Sequence, residues 1–274
     1  NKLVFGENVD VLMGTVHSGV AAAMVKIARE AGVTTLVPNA GADAITGGLC
    51  APNVFRTSFA NSQVGFATGK AMIAAGIKEA VTCTWRYAAG EEMVAGFKQA
   101  FEAGGSKIVK DIALPFPDVE FQSALAEIAA AKPQAVYSFF AGGGAAKFIK
   151  DYAAAGLNKT VPLWGPGFLT DGVEAAVRPA GEGIHTVLHY ADAVPTAENK
   201  AFREAFKAAY GTEADVYAVQ GWDAMQVLEI GLKAVGGDTS KKAELHAAMA
   251  AAKFASPRGP RSEEHTSELQ SPMY

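Results

Sequence analysis

The 274 residues predict an α/β fold built from parallel sheets. Three observations carry that prediction. Short apolar runs such as VDVLM, TTLV, AVTCTW and AVYSFF alternate with stretches of helical periodicity, the signature of βα units. The strand-to-helix links repeat one chemistry, small residues beside an aromatic or a capping hydroxyl: VHSG, NAGA, WRYAAG, FFAGGG and GPGFL. Half of the residues are apolar and 29 are glycine, which suits closely packed layers.

Val9–Met13 reads as the first strand, ended by Gly14, with Thr15–Gly19 as a small-residue turn. Val20, Met24, Ile27, Ala28 and Ala31 recur at amphipathic spacing, and Gly32 stops that helix. Thr34–Val37 is the second strand, closed by Pro38 and Asn39, which completes a βαβ unit with parallel strands. Ser18 is the expected N-cap of the helix. Free N–H groups and the helix dipole would then face out of the turn, a setting that suits a carboxylate. In open parallel sheets, ligands sit beyond the carboxyl ends of strands, where this turn lies.

Asn53–Phe59 follows as an extended segment with Arg56 inside it, then a helix over Gln63–Ala75 capped by Asn61 or Ser62. GFATGKA within it imitates a phosphate loop but fails on count. Three residues separate Gly65 from Gly69 where four are required, and Ala71 stands in place of the hydroxyl. Strands are predicted at Ala80–Trp85, Lys107–Leu114, Ala135–Phe140, Val161–Trp164 and Ile184–Tyr190. Helices are predicted at Glu91–Ala103, Val119–Ala131, Gly144–Ala155, up to Val177, Glu198–Tyr210, Val216–Val235 and Lys241–Ala252.

A net charge of −4 with no basic stripe argues against a nucleic-acid surface. No apolar run is long enough for a membrane-spanning helix, so no direct membrane insertion is expected. Cys50 and Cys83 are too few for a disulfide framework or a zinc site, and Cys83 reads as a buried thiol. Neither a metal nor a cofactor is expected. Asn1–Leu3 reads as the tail of a helix feeding a strand, so earlier chain is expected upstream. Arg261–Tyr274 lacks the periodicity before it, and RSEEHTSELQS resembles translated sequencing-adapter sequence. That stretch is treated as a non-native tail.

VDVLMGTVHSGVA, LVPNAGAD, NVFRTSF, YAAGEEMVAGF, AVYSFFAGGGAAKF, GPGFLTDG and AVQGWDA, in this order, resemble the periplasmic solute-binding proteins of ABC importers, in the leucine/isoleucine/valine-binding family. The resemblance runs from Val9 to Pro260. It implies two Rossmann-like lobes joined by a multi-segment hinge, the type I periplasmic binding protein fold, here truncated at both ends. Lobe one would hold residues 1–58 and 191–252, and lobe two residues 59–190 and 253–260. The implied function is capture of a small carboxylate-bearing solute in the interlobe cleft by hinge closure, for delivery to a membrane permease. A periplasmic location, an upstream signal peptide and a monomer are expected with it.

The resemblance also implies site residues. His17, Ser18, Asn39, Ala40 and Gly41 would hold the carboxylate, and Tyr87 would supply an aromatic wall. The loops at Phe140, Ala141 and Gly142 and at Gly167 and Phe168 would face the same space, with Trp85 packing on the solute. Phe139 and Trp164 are expected in the core. One departure stands out. Amino-acid binders of the family carry an acidic residue in the loop matching GPGFL to pair with the ligand ammonium, whereas this chain has Gly167 and Phe168, with Asp171 further on. An unpaired buried ammonium is costly. Two solutes therefore stay open, a branched-chain amino acid and an aromatic or aliphatic carboxylate without an α-amine.

Catalysis finds little in the sequence. His17 and Ser18 are adjacent, no G-x-S-x-G elbow exists, and His185 and His189 lie too far apart along a strand to share a metal. The alternative to transport is a ligand-sensing domain of a regulator or receptor with the same fold.

Overall fold

The computed structural model describes residues 1–260; the tail set apart above, 261–274, lies outside them. The chain forms two compact units. Unit 1 takes Asn1–Phe59 and residues 189–260, and unit 2 takes Ala60–Leu188.

Unit 1 opens with a short π-helical turn, Lys2–Gly6. It continues with strand β1 (Val11–Met13), helix α1 (Ser18–Ala31), β2 (Thr34–Val37), α2 (Asp43–Thr46) and β3 (Val54–Arg56). The three strands form a parallel sheet in the order β1-β2-β3, with Val11 opposite Thr34 and Leu36 opposite Phe55. Helix α1 ends where Gly32 takes the left-handed φ of 65° that glycine adopts without strain. Its buried stripe is turned by one residue from the predicted one. Ala21, Val25 and Ala28 are fully buried, whereas Val20 is 54% exposed. Small side chains on the inner line let the helix lie close to β2 and β3, and the longer Met24 and Ile27 pack at the flanks.

Unit 2 runs through α3 (Asn61–Ala74), β4 (Glu79–Arg86), α4 (Ala88–Ala103), β5 (Lys107–Pro115), α5 (Gln122–Ala131), β6 (Ala135–Phe139), α6 (Gly142–Ala154), β7 (Leu163–Pro166), α7 (Glu174–Val177) and β8 (His185–Val187). Its strands form a parallel sheet in the order β5-β4-β6-β7-β8. Parallel strands need crossovers, and the helices supply them. Cys83, Val136, Phe148 and Leu163 lie in its core, where burial pushes the Cys83 thiol far above its ordinary pKa. Cys50 and Cys83 are both free and do not pair. Glycines set the spacing of α3 on α4. A Cβ at Gly65 would lie 2.0 Å from the Met93 carbonyl, and one at Gly96 would lie 2.1 Å from that of Ser62. The GFATGKA glycines therefore serve helix packing.

The chain returns to unit 1 with α8 (Ala197–Tyr210), α9 (Val216–Ala234), α10 (Lys242–Ala250) and a short antiparallel pair, β9 (Ala255–Ser256) and β10 (Gly259–Pro260). Ala224, Val227, Leu245 and Met249 close over Leu36 and Phe55. Residues 253–260 belong to this unit, not to the second lobe as the sequence suggested. The reason is a buried ion pair: Arg258 meets Asp223 of α9 at 2.6 Å, with side chains 8% and 0% exposed. The same guanidinium donates to the Thr57 carbonyl at 2.7 Å.

Candidate functional site

In unit 1 the turns that follow β1 and β2 lie side by side, because these strands are neighbours in the sheet. His17, rather than Ser18, caps α1. Its backbone is extended and its Nδ1 accepts from the N–H groups of Gly19 at 3.1 Å and Val20 at 3.3 Å. A ring nitrogen that accepts carries no proton, which leaves Nε2 as the donor of this ring. Ser18 is the first helical residue and is 2% exposed. The turn thus offers fewer backbone donors than the sequence suggested, since the imidazole itself takes two of them.

The second turn is held as tightly. Ala40 donates its N–H to the Thr15 carbonyl at 3.0 Å, which joins the two turns. Asn39 is buried; its Nδ2 donates to Gln220 Oε1 at 2.6 Å, and its carbonyl accepts from Ser58 Oγ at 3.3 Å. Ala40 and Gly41 are buried as well. Below them Arg56 donates to the Ala42 carbonyl at 2.8 Å and to Thr46 Oγ1 at 2.5 Å. The structure therefore brings His17, Ser18, Asn39, Ala40 and Gly41 together at one edge of unit 1.

Three residues behind this edge went unseen in the sequence reading: Gln220, Asp223 and Arg258. Gln220 and Asp223 sit three apart on α9, in line with buried Val216, Val219 and Val227. Polar residues on the apolar line of a helix need buried partners, and that is the signal that AVQGWDA carried. Gln220 Nε2 faces His189 Nε2 at 3.2 Å. The His189 ring stacks on Phe59, with centroids 5.3 Å apart and planes at 21°. Burial, reinforced by the Arg258 charge, holds His189 well below the usual histidine range, so the ring is neutral.

In unit 2 the predicted residues lie at the carboxyl ends of β4, β6 and β7, which are neighbours in the sheet. Tyr87 stands between β4 and α4, half-buried, its ring 4.7 Å from Phe116 and 6.1 Å from Phe139. Phe116, unmarked in the sequence, is 42% exposed and lies 5.2 Å from Trp85. Trp85 and Phe140 are core residues. Trp85 donates its indole N–H to the Asp118 carbonyl at 2.7 Å and meets Phe140 edge to face. Phe140 is fully buried, 4.5 Å from Phe148 and 5.0 Å from Phe121. Phe139 and Trp164 are buried. Ala141 precedes α6, and a Cβ on Gly142 would have no atom within 4 Å. Gly167 begins a 3₁₀ turn, where a Cβ would lie 2.7 Å from Leu188 Cδ2, and Phe168 beside it is 4% exposed.

A doubly wound parallel fold with hydrogen-bonding turns on one unit and aromatic turns on the other defines a small-molecule binding protein. The chain belongs to the periplasmic binding protein family, which it matches over residues 1–274. A Leu/Ile/Val-binding protein homolog 6 of Brucella abortus (strain 2308) is 30% identical over 268 residues, covering 94% of this chain and 67% of the relative. Among solved structures, an ABC transporter solute-binding protein of R. palustris in complex with benzoate is 69% identical. It superposes with a TM-score of 0.93 over 96% of this chain and 73% of that one. A solute-binding protein of Rhodopseudomonas palustris BisB5 in complex with 3,4-dihydroxybenzoic acid is 34% identical, with a TM-score of 0.87 over 97% and 73% of the two chains. The chain is thus an ABC transporter solute-binding protein, in a family of transport proteins rather than enzymes.

Proposed function

We propose that this chain captures an aromatic carboxylate of the benzoate and hydroxybenzoate class in the periplasm, by hinge closure, and presents it to the permease of an ABC importer. The observation that carries the reading is the turn after β7. Gly167 has Leu188 packed where its Cβ would stand, and the next residue is the buried Phe168, so the turn supplies no acid at either position. A ligand ammonium facing this turn would lose its hydration without a counter-charge, which costs several kcal/mol. An amine-free acid avoids that cost. The 69% identity to a benzoate-bound protein supports the same class.

In this reading the His17 Nε2–H, Ser18 and the Asn39–Gly41 turn receive the carboxylate, since charge-assisted hydrogen bonds are the strong ones. Tyr87, with Phe116 behind it, and Phe168 receive the ring. A second reading, a branched-chain amino acid, is favoured by the 30% identity to the Leu/Ile/Val-binding homologue. Calorimetric titration separates the two. Benzoate and 4-hydroxybenzoate are expected to bind and leucine, isoleucine and valine to give no heat. Binding of the amino acids with silence from the aromatic acids would overturn the proposal.

A further inference from the structure

Behind the ligand edge of unit 1, Asn39 leads into two side chains, Gln220 and His189, that the carboxylate reading does not use. Asn39 Nδ2 donates to Gln220 Oε1 at 2.6 Å, and Gln220 Nε2 lies 3.2 Å from His189 Nε2. The direction of this line is fixed by chemistry. Gln220 has its oxygen turned to Asn39, so its NH₂ must face the imidazole and donate to it. His189 Nε2 is then the acceptor and the ring proton sits on Nδ1, which is enclosed and has no hydrogen-bond partner among the described residues. The far end is fixed by stacking, because the His189 ring lies on Phe59.

The line also has a particular place in the chain. Phe59 is the last residue of unit 1 before the chain leaves it, and His189 is the first after it returns. The stack therefore ties the two passages together, and Gln220 connects them to the turn that follows β2. Asn39 has a second tie to the outgoing passage, the 3.3 Å bond from Ser58 Oγ to its carbonyl.

We infer that Gln220 and His189 are positioning residues for solute binding: through one-way hydrogen bonding they fix the Asn39 amide and the turn it opens, and link that turn to the passages at Phe59 and His189. The inference rests on the reading that the Asn39–Gly41 turn receives the solute carboxylate. A buried amide line whose donor and acceptor are fixed at both links has one low-energy arrangement, so the turn is set before the solute arrives and less ordering is lost on binding.

The test is titration of benzoate into the chain and three variants, with unfolding of each variant followed without solute. Gln220→Leu removes both bonds and is expected to weaken benzoate binding about tenfold, the usual effect of one lost buried hydrogen bond. Gln220→Glu keeps the oxygen that Asn39 needs and is expected to hold the affinity within about threefold of the parent, at whatever cost to stability. In that variant the carboxylate cannot donate, so His189 must turn donor, and its ring ¹⁵N shifts are expected to move the proton from Nδ1 to Nε2. His189→Phe keeps the stack on Phe59 but removes the acceptor, with an expected loss of about threefold; it serves if Gln220→Leu does not fold. Parent-like affinity in Gln220→Leu and His189→Phe would overturn the inference while leaving the carboxylate reading intact. Equal losses in Gln220→Leu and Gln220→Glu, with no tautomer change, would also overturn it, by showing that only packing matters there. A parent chain that does not bind benzoate overturns the carboxylate reading, and the positioning role with it.

Discussion

At the strand ends of unit 1 the side chains are tied by hydrogen bonds: His17 to its own helix, Asn39 to Gln220, Arg258 to Asp223. At the strand ends of unit 2 the contacts are rings and glycines, with Tyr87, Phe116, Phe139 and Trp85 in one chain of aromatic contacts and a glycine start to α6. Hydrogen bonds are directional and fail when a partner shifts, whereas ring contacts tolerate a change in the shape of what they cover. In the proposed reading, unit 1 would therefore receive the carboxylate that the candidate acids share, and unit 2 the ring on which they differ.

The largest expected effect breaks the polar side of this comparison. Arg258→Met leaves Asp223 fully buried and stripped of its guanidinium, so that it must hold its charge unpaired or take up a proton, and should cost about 3–5 kcal/mol in urea unfolding. Asp223 is already held above the usual carboxylate range by burial, against the pull of Arg258 and Ser256, so the pair is needed to keep it ionised. A loss below about 1 kcal/mol, the figure for surface pairs, would show that the pair does not anchor residues 253–260. The matching test in unit 2 is Gly96→Ala. It adds one methyl group where only 2.1 Å separates a Cβ from the Ser62 carbonyl, and overpacking of that kind costs about 1–3 kcal/mol. A neutral result would mean that α3 and α4 separate freely and that glycine spacing does not define unit 2.

What the sequence disclosed follows the same division. Alternating strands and helices, the glycine-rich turns and the rejection of GFATGKA as a phosphate loop rest on local periodicity and count, which the chain carries within a dozen residues. The phase of α1 was displaced because Val20 and Ala21 are both apolar, and only the sheet decides which is covered. The cap went to Ser18 by residue type, yet His17 has the extended backbone and an acceptor nitrogen at the right distance. Trp85 and Phe140 were placed on the solute because aromatics at strand ends look alike until Phe121 and Phe148 are seen behind them. Gln220 and Arg258 were hidden for a different reason. Their partners lie 181 and 35 residues away, and no local pattern encodes a pairing of that span.

Acid should weaken unit 1 in particular. His189 and His246 are both held below the ordinary value of 6.5, each first by burial, then by Arg258 and Lys242 respectively. Above that value both rings are neutral in the folded and the unfolded chain. Below it the unfolded chain binds protons that the fold refuses, so stability is full above about pH 6.5 and falls as pH falls. Each ring contributes at most about 1.4 kcal/mol per pH unit. His189→Phe should remove its share of the slope between pH 7 and 5 and leave that of His246. An unchanged slope would mean that His189 takes its proton in the folded state.

The smallest effect is the one that bears most on the solute. Tyr87 is half-buried and carries contacts to Phe116 and Phe139, so Tyr87→Ala removes both packing and, in the proposed reading, a wall of the solute site. An aromatic pair adds about 0.5–1.5 kcal/mol beyond area burial, which converts to roughly two- to tenfold in benzoate affinity. The two losses can be told apart by their ratio. Calorimetry should show affinity falling by more than the unliganded unfolding free energy, because in the proposed reading the solute covers the part of the ring that is exposed in the free protein. Equal losses would make Tyr87 a packing residue like Trp85 and Phe140, and would leave Phe168 as the aromatic of unit 2 assigned to the solute.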